Sequence, residues 1–104
     1  MAGYKGITVN NNGGFVMEFD VLWAGPTPTH STASSGRYPL GSNRSIDMST
    51  GTYNIQPGQT MQPHVHAILG DHKDGSFVTY DPAGPFAVYT CSGTVRDIHL
   101  TLQS

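Results

Sequence analysis

Charged residues are scarce in this sequence. They make up 12% of the 104 residues, about half of the typical share of ~25%. Five Lys and Arg stand against seven Asp and Glu, for a formal net charge of -2, and the basic residues are scattered along the chain. Because no basic patch is available to hold phosphates, we expect neither nucleic acid nor an anionic membrane as the main partner.

Cysteine and long apolar runs are nearly absent as well. Cys91 is the only cysteine, so no disulfide can form within the chain. No run approaches the ~20 apolar residues of a membrane-spanning helix, and we expect no transmembrane segment. The first residues, MAGYKGITVNN, lack the apolar run of a secretory signal. These absences predict a soluble protein that stays in the cytoplasm or is released without a signal peptide.

The common catalytic motifs are also missing. The sequence has no Gly-rich phosphate loop with a Lys and no Gly-x-Ser-x-Gly elbow. A chain of 104 residues builds one modest core and leaves little interior for a deep pocket. We therefore predict a single domain over residues 1–104 that is not an enzyme and uses no cofactor.

The sequence does contain clear alternation of period two. In FVMEFDVLW (15–23) one side of the predicted strand carries Phe15, Met17, Phe19, Val21 and Trp23, and the other carries Glu18 and Asp20. GITVN (6–10) predicts a second strand. Because NNNGG between them tolerates positive φ, we expect the two strands to pair as a hairpin.

Several further short strands are predicted. They are RSIDMS (44–49) with Ile46 and Met48 inward, YNI (53–55), SFVTY (76–80), PFAVYTC (85–91) and TVRDIHLTLQ (94–103). QPGQ (56–59) and DPAG (81–84) are typical of turns, and the polar segment AGPTPTHSTASSG (24–36) indicates a long loop or edge segment. About eight short strands without a helix predict a compact antiparallel β-sandwich, with an Ig-like fold or a small barrel as alternatives.

Three histidines cluster in GQTMQPHVHAILGDHKDG (58–75). Met61, Val65, Ala67 and Leu69 share one face of the predicted strand, which places His64 and His66 on the other. Two such histidines can share a metal ion, with His99 or with Asp71, His72 and Asp74 as further ligands, or can simply face solvent. GDHKDGS (70–76) has the composition of a hairpin loop. We favour surface histidines and predict no metal.

This stretch partly resembles the first motif of the cupins. Five residues separate Gly58 from His64-Val65-His66, and Asp71 takes the place of the family's Glu. Where the second motif would supply another His, the sequence has Phe86-Ala87. The resemblance implies, as an alternative function, a small metal-dependent β-barrel enzyme that uses His64 and His66.

A second resemblance covers more of the chain. GGFVMEFDVLW (13–23), YPLGSNRSIDM (38–48) and SGTVRDIHLTL (92–102) look like the carboxy-terminal β-sandwich domain of the thiol-activated, cholesterol-dependent cytolysins. The matching positions are Gly14, Phe15, Val16, Phe19, Val21, Trp23, Pro39, Leu40, Gly41, Arg44 and Ile46. The chain lacks the Trp-rich loop, and Gly93-Thr94-Val95-Arg96 replaces the family's Gly-Thr-Thr-Leu. The resemblance therefore implies a recognition sandwich without cholesterol binding or pore formation, with a membrane- or lipid-binding toxin-like module as an alternative.

A sandwich rich in Ser, Thr and Asn with aromatic residues near its turns predicts a lectin-like protein. Sugar binding needs an aromatic face and planar hydrogen-bonding groups. The candidate ligand-binding residues are Tyr80, Asp81, His64, His66, His72, Arg37, Tyr38, Asn43 and Arg44. We predict a carbohydrate or glycoconjugate as the partner and a homodimer, because sheet edges need protection and paired shallow sites gain avidity. A structural subunit of a larger particle is a further alternative.

Overall fold

The computed structural model describes residues 3–24, 29–50, 53–68 and 70–103. These residues form nine strands: β1 (Gly6–Asn11), β2 (Met17–Ala24), β3 (Thr29–Ser31), β4 (Asn43–Asp47), β5 (Thr60–Ala67), β6 (His72–Asp74), β7 (Val78–Thr79), β8 (Phe86–Thr94) and β9 (Asp97–Leu102). Met48–Thr50 add one short 3-10 turn. Within the described residues, no helix is long and apolar enough to cross a membrane.

The strands form two sheets that pack face to face. One sheet has the order β4-β1-β8-β9, and the other has the order β3-β2-β5-β6 with β7 paired to β5. The prediction of an all-β sandwich is confirmed. One detail differs, because β1 and β8 run parallel, from Gly6 opposite Phe86 to Asn11 opposite Cys91, whereas the other paired strands named above are antiparallel.

The core lies between the sheets and follows the period-two pattern. On β2 the predicted inward residues are all buried, and they meet the inward side of β1, which carries Ile7 and Val9. The buried β2 stripe, with Phe15 just before it, is Phe15, Met17, Phe19, Val21 and Trp23. Burial of each large apolar side chain contributes about 1.5–3 kcal/mol, so the two stripes dominate the stability of the sandwich.

The expected hairpin between β1 and β2 is wrong. The two strands lie in different sheets and face each other across the core. The reason is Asn11, which is 1% exposed and whose Nδ2 donates to the carbonyl oxygens of Phe15 (2.7 Å) and Tyr38 (3.1 Å). The backbone N–H of Gly13 donates to Asn11 Oδ1 at 3.1 Å. The segment NNNGG is thus a braced crossover between sheets, whereas a hairpin would need a tight turn.

Other local expectations are partly met. Both predicted turns are present, with Gln59 N–H donating to the Gln56 carbonyl at 3.0 Å and Gly84 N–H to the Asp81 carbonyl at 3.0 Å. The segment YNI contains no strand, although Ile55 is buried. In the polar segment, Thr29–Ser31 form an edge strand on β2, while residues 25–28 lie outside the described residues, as does Leu69.

Candidate functional site: a cleft of histidines and carboxylates

Strand β5 presents His64 and His66 on the outer face of its sheet. Pro63, Val65 and Ala67 alternate with them and are buried, as the period-two prediction required. The histidine side chains are 30% and 35% exposed, respectively. They are therefore held by a buried strand and still accessible from solvent.

The neighbouring strand β6 adds two more polar side chains. His72 lies opposite His66 and Asp74 opposite His64. The expectation that residues 70–76 form a hairpin loop is wrong for residues 72–74. The chain turns back between β5 and β6 earlier, where Gly70 N–H donates to the Ala67 carbonyl at 2.9 Å. Three residues of the predicted loop are paired as strand instead.

Strand β2 completes the cleft from the other side of β5. Glu18 lies opposite His66, and Asp20 lies opposite His64. The sheet thereby forms two rows of polar side chains across three strands, Glu18-His66-His72 and Asp20-His64-Asp74. They border a cavity of about 240 Å³ lined by Glu18, Phe19, Asp20, Ser34, His64, His66 and His72.

The imidazoles form a hydrogen-bonded stack. His64 Nδ1 lies 2.5 Å from Asp74 Oδ1, and His64 Nε2 lies 3.1 Å from His72 Nδ1. The His72 ring stacks on both of its neighbours, with centroid distances of 5.0 Å to His64 and 4.2 Å to His66.

These contacts fix the tautomers of the neutral imidazoles. An ionised carboxylate only accepts hydrogen bonds, so the His64 proton lies on Nδ1, toward Asp74. His64 Nε2 then accepts from the N–H at His72 Nδ1. Consequently, neutral His72 keeps an unprotonated Nε2 that can accept a hydrogen bond from a ligand.

Glu18 is held in its ionised form by its neighbours. Ser34 Oγ donates to Glu18 Oε1 at 2.6 Å, while His66 Nδ1 and Arg37 Nε lie 3.5 and 4.0 Å from Oε2. The Ser34 hydrogen bond is the largest influence on the pKa of Glu18 and, with the His66 and Arg37 contributions, lowers it against the opposing effect of burial.

Asp20 is shifted in the opposite direction. Burial raises the pKa of its carboxyl group, and the negative charges of Asp74 and Glu18 raise it further, while His64 lowers it. The cleft therefore contains one strongly ionised carboxylate and one whose proton is retained to higher pH.

The structure divides the nine predicted ligand-binding residues into separate places. His64, His66 and His72 line the cleft, and Arg37, with a 68% exposed side chain, lies at its rim beside Glu18. Asn43 and Arg44 belong to β4 in the other sheet. Asp81 is a turn residue whose Oδ1 accepts from the Ala83 N–H at 2.9 Å.

The expectation that Tyr38 and Tyr80 offer exposed aromatic rings to a sugar is wrong. Tyr38 is 1% exposed and Tyr80 is 5% exposed. Their hydroxyl groups donate to backbone carbonyls inside the protein, at 2.8 Å to Val9 and 3.4 Å to Met48. Rings packed in the core in this way cannot stack on a sugar, so neither residue belongs to the candidate site.

Sequence reasoning missed Glu18, Asp20 and Ser34 as site residues. The alternation of β2 already placed Glu18 and Asp20 on its polar side. The missing information was the pairing of β2 with β5, which puts that polar side next to the histidines. No local signal in the sequence marks Ser34.

The described part of the chain contains no group of three or more His, Cys, Asp or Glu that could hold a metal ion. His99, a candidate third ligand in the sequence, lies on β9 in the opposite sheet. Asp71 is exposed just before β6, where its N–H donates to the Val95 carbonyl at 2.8 Å.

Comparison with known proteins finds no matching family model, no matching curated protein and no matching solved structure. The resemblance to the cytolysin domain therefore stays a prediction that rests on its sequence motifs.

Proposed function

We propose that this protein is a lectin-like recognition domain that binds a carbohydrate or glycoconjugate without changing it, through the histidine and carboxylate cleft. The observation that carries the proposal is the pair of polar rows across β2, β5 and β6. They gather hydrogen-bonding side chains on the outside of a sheet whose inward residues are buried in the core. Such a scaffold holds the polar groups in place before the ligand arrives, which lowers the entropic cost of binding.

The chemistry of the cleft suits hydroxyl groups. Each sugar hydroxyl can donate one hydrogen bond and accept others. The Glu18 carboxylate accepts, and hydrogen bonds to an ionised acceptor are about twice as strong as neutral ones. His72 Nε2 offers a neutral acceptor, and Arg37 at the rim offers donors.

No Tyr or Trp stands among the described residues that line the cleft, so the sugar is recognised chiefly through hydrogen bonds. Each contributes only about 0.5–1.5 kcal/mol net, and part of this gain is offset by the cost of association. We therefore expect dissociation constants on the order of 0.1–1 mM for one site. Affinity of this order needs multivalent display to be useful.

We propose a homodimer as one source of that multivalency. Strand β4 is a sheet edge, and Asn43, Arg44 and Ser45 on it are exposed, which suits pairing with a second copy. Sedimentation of the purified protein at micromolar concentration tests this point. A monomer mass across the concentration range would refute the dimer while leaving the sugar site untouched.

A glycan array probed with labelled protein, with and without a chelator, tests the proposed function. We expect selective binding that resists the chelator, and His72→Ala should lose the glycans that this cleft binds. The matched control is His99→Ala, which removes an exposed histidine from the opposite sheet and should bind normally. An array with no selective signal would rule out the lectin assignment, and binding that depends on metal would favour the cupin-like alternative.

A further inference from the structure

A second cleft lies on the outer face of the other sheet. Its volume is about 280 Å³, and it is built around the end of β1 and the start of β4. The lining residues are Asn10, Asn11, Asn12, Gly41, Ser42, Asn43 and Thr90. The two sheets pack against each other, so this asparagine cleft and the histidine cleft open on opposite sides of the sandwich.

The register of three strands places polar side chains side by side in this cleft. Asn10 on β1 lies opposite Asn43 on β4 and opposite Thr90 on β8. Neighbouring strands are about 4.8 Å apart, and paired residues project from the same face. Two amides and a hydroxyl thus form one continuous row across the sheet.

The hydrogen-bonding groups of this row have no partner in the part of the chain that the structure describes. Among the described residues, the side chains of Asn10, Asn12 and Asn43 form no hydrogen bond or ion pair, and neither do the hydroxyls of Ser42 and Thr90. Asn11 is the opposite case, because its buried amide is fully engaged with the backbone. Asn11 therefore stabilises the backbone beneath the cleft, while the other asparagines keep their donors and acceptors available for a ligand.

The described residues that line the cleft include no ionisable side chain, which sets the chemistry of its ligand. A charged ligand would lose its hydration without finding an opposite charge. A planar amide presents a donor and an acceptor together and can form a two-point contact with another amide. The lining is therefore complementary to a neutral molecule that carries hydroxyl and amide groups.

We propose that the asparagine cleft is a second ligand site, which binds a neutral saccharide carrying an acetamido group. This proposal does not rest on sugar binding by the histidine cleft, although both sites take the same broad class of ligand. Two sites on opposite faces would let even a single chain bridge two glycans, which raises the effective affinity for a multivalent surface.

The test is a nuclear magnetic resonance titration of ¹⁵N-labelled full-length protein with N,N′-diacetylchitobiose, with cellobiose as the sugar without acetamido groups. The side-chain NH₂ signals of Asn10, Asn12 and Asn43 report directly on the cleft. We expect these signals to shift with the acetamido sugar and much less with cellobiose. Equal shifts with the two sugars would overturn the acetamido assignment.

The double variant Asn10→Ala/Asn43→Ala removes both amides of the row. We expect its affinity at this site to fall about tenfold or more, since two hydrogen bonds are lost. The matched control is Thr8→Ala, because Thr8 lies on the same face of β1 outside the lining, with its Oγ1 bonded to Ser45 Oγ at 2.6 Å. Unchanged backbone signals far from the cleft confirm that the variants are folded.

Two further outcomes separate the proposals. Shifts confined to residues around His64 and His66 would overturn the second site and leave the proposed lectin function standing. Shifts confined to the asparagine cleft would support the second site, and the glycan array would still decide the function of the histidine cleft. If millimolar sugar moves no signal, the second site is refuted for this ligand.

Discussion

The ring of His72 lies parallel to that of His66, with centroids 4.2 Å apart and planes 7° from parallel. The contact follows from the register of β5 and β6, which sets these two residues opposite each other. The two imidazoles that line the cleft are therefore held in place both by the sheet register and by contact with each other.

Glu18→Gln should reduce stability near neutral pH by about 0.5–1 kcal/mol, because it weakens a charge-assisted hydrogen bond with Ser34. The folded pKa of Glu18 is lowered from 4.5, so its stabilising contribution is fully present above pH 4.5 and disappears as the pH falls through the lowered value. Urea unfolding of both proteins at several pH values measures the difference. A gap that stays constant down to the lowest pH would contradict this role.

Asp20→Asn should have the opposite effect. The folded pKa of Asp20 is raised from 3.8 by burial, so ionisation comes to oppose folding as the pH rises from 3.8 through the raised value, and the penalty is complete above that value. We expect the variant to be more stable than the natural protein near neutral pH, by less than about 1 kcal/mol. Below pH 3.8, where Asp20 is protonated in both states, the advantage should vanish. Thermal unfolding across this range checks the prediction, and a loss of stability near pH 7 would count against it.

Asn11→Ala should be strongly destabilising, by about 2–4 kcal/mol. The substitution leaves the Phe15 carbonyl without its amide donor and the buried Gly13 N–H without its acceptor, and it removes one of the two donors to the Tyr38 carbonyl. Each unsatisfied buried group costs about 1–3 kcal/mol. Asn12→Ala is the matched control, since Asn12 is exposed and should change stability by no more than about 0.5 kcal/mol. Equal unfolding midpoints in denaturant for the two variants would contradict the bracing role of Asn11.

Tyr38→Phe separates a core role from a ligand-binding role. The variant loses the hydrogen bond to the Val9 carbonyl and leaves that carbonyl without this donor, so we expect a loss of about 1–2 kcal/mol in unfolding free energy. Sugar binding by the folded variant should be unchanged. Denaturant unfolding measures the stability of the variant, and a titration measures its sugar binding. Weakened binding at normal stability would show that Tyr38 contributes to the ligand site.

The sequence predicts which side chains of a strand point into the core and which point to solvent. It does not predict which strands pair with each other. The period-two pattern is local, so it placed Phe19 inward and His64 and His66 outward correctly. The pairing of β1 with β8 joins residues about eighty positions apart, and no local pattern encodes it. The same limit hid the position of Glu18 and Asp20 beside the histidines, because that position depends entirely on the pairing of β2 with β5.

The sequence did not predict the burial of Tyr38 and Tyr80, for a related reason. Tyr38 stands beside Pro39 in a segment without alternation. Tyr80 ends the predicted strand SFVTY (76–80), where Phe77 lies on one face and Val78 and Tyr80 lie on the other, so the pattern does not decide which face is buried. Each enters the core because its hydroxyl finds a backbone carbonyl from a distant segment, Val9 for Tyr38 and Met48 for Tyr80. Only the folded arrangement supplies those partners.

The most direct test of the central claim is a calorimetric titration of the sugar chosen by the glycan array. It would compare the natural protein, the Glu18→Gln/His72→Ala double variant and the His99→Ala control, all at neutral pH with chelator present. We predict that the double variant loses affinity about tenfold or more, while the control binds like the natural protein. Equal affinity in all three proteins would contradict sugar recognition by the histidine and carboxylate cleft.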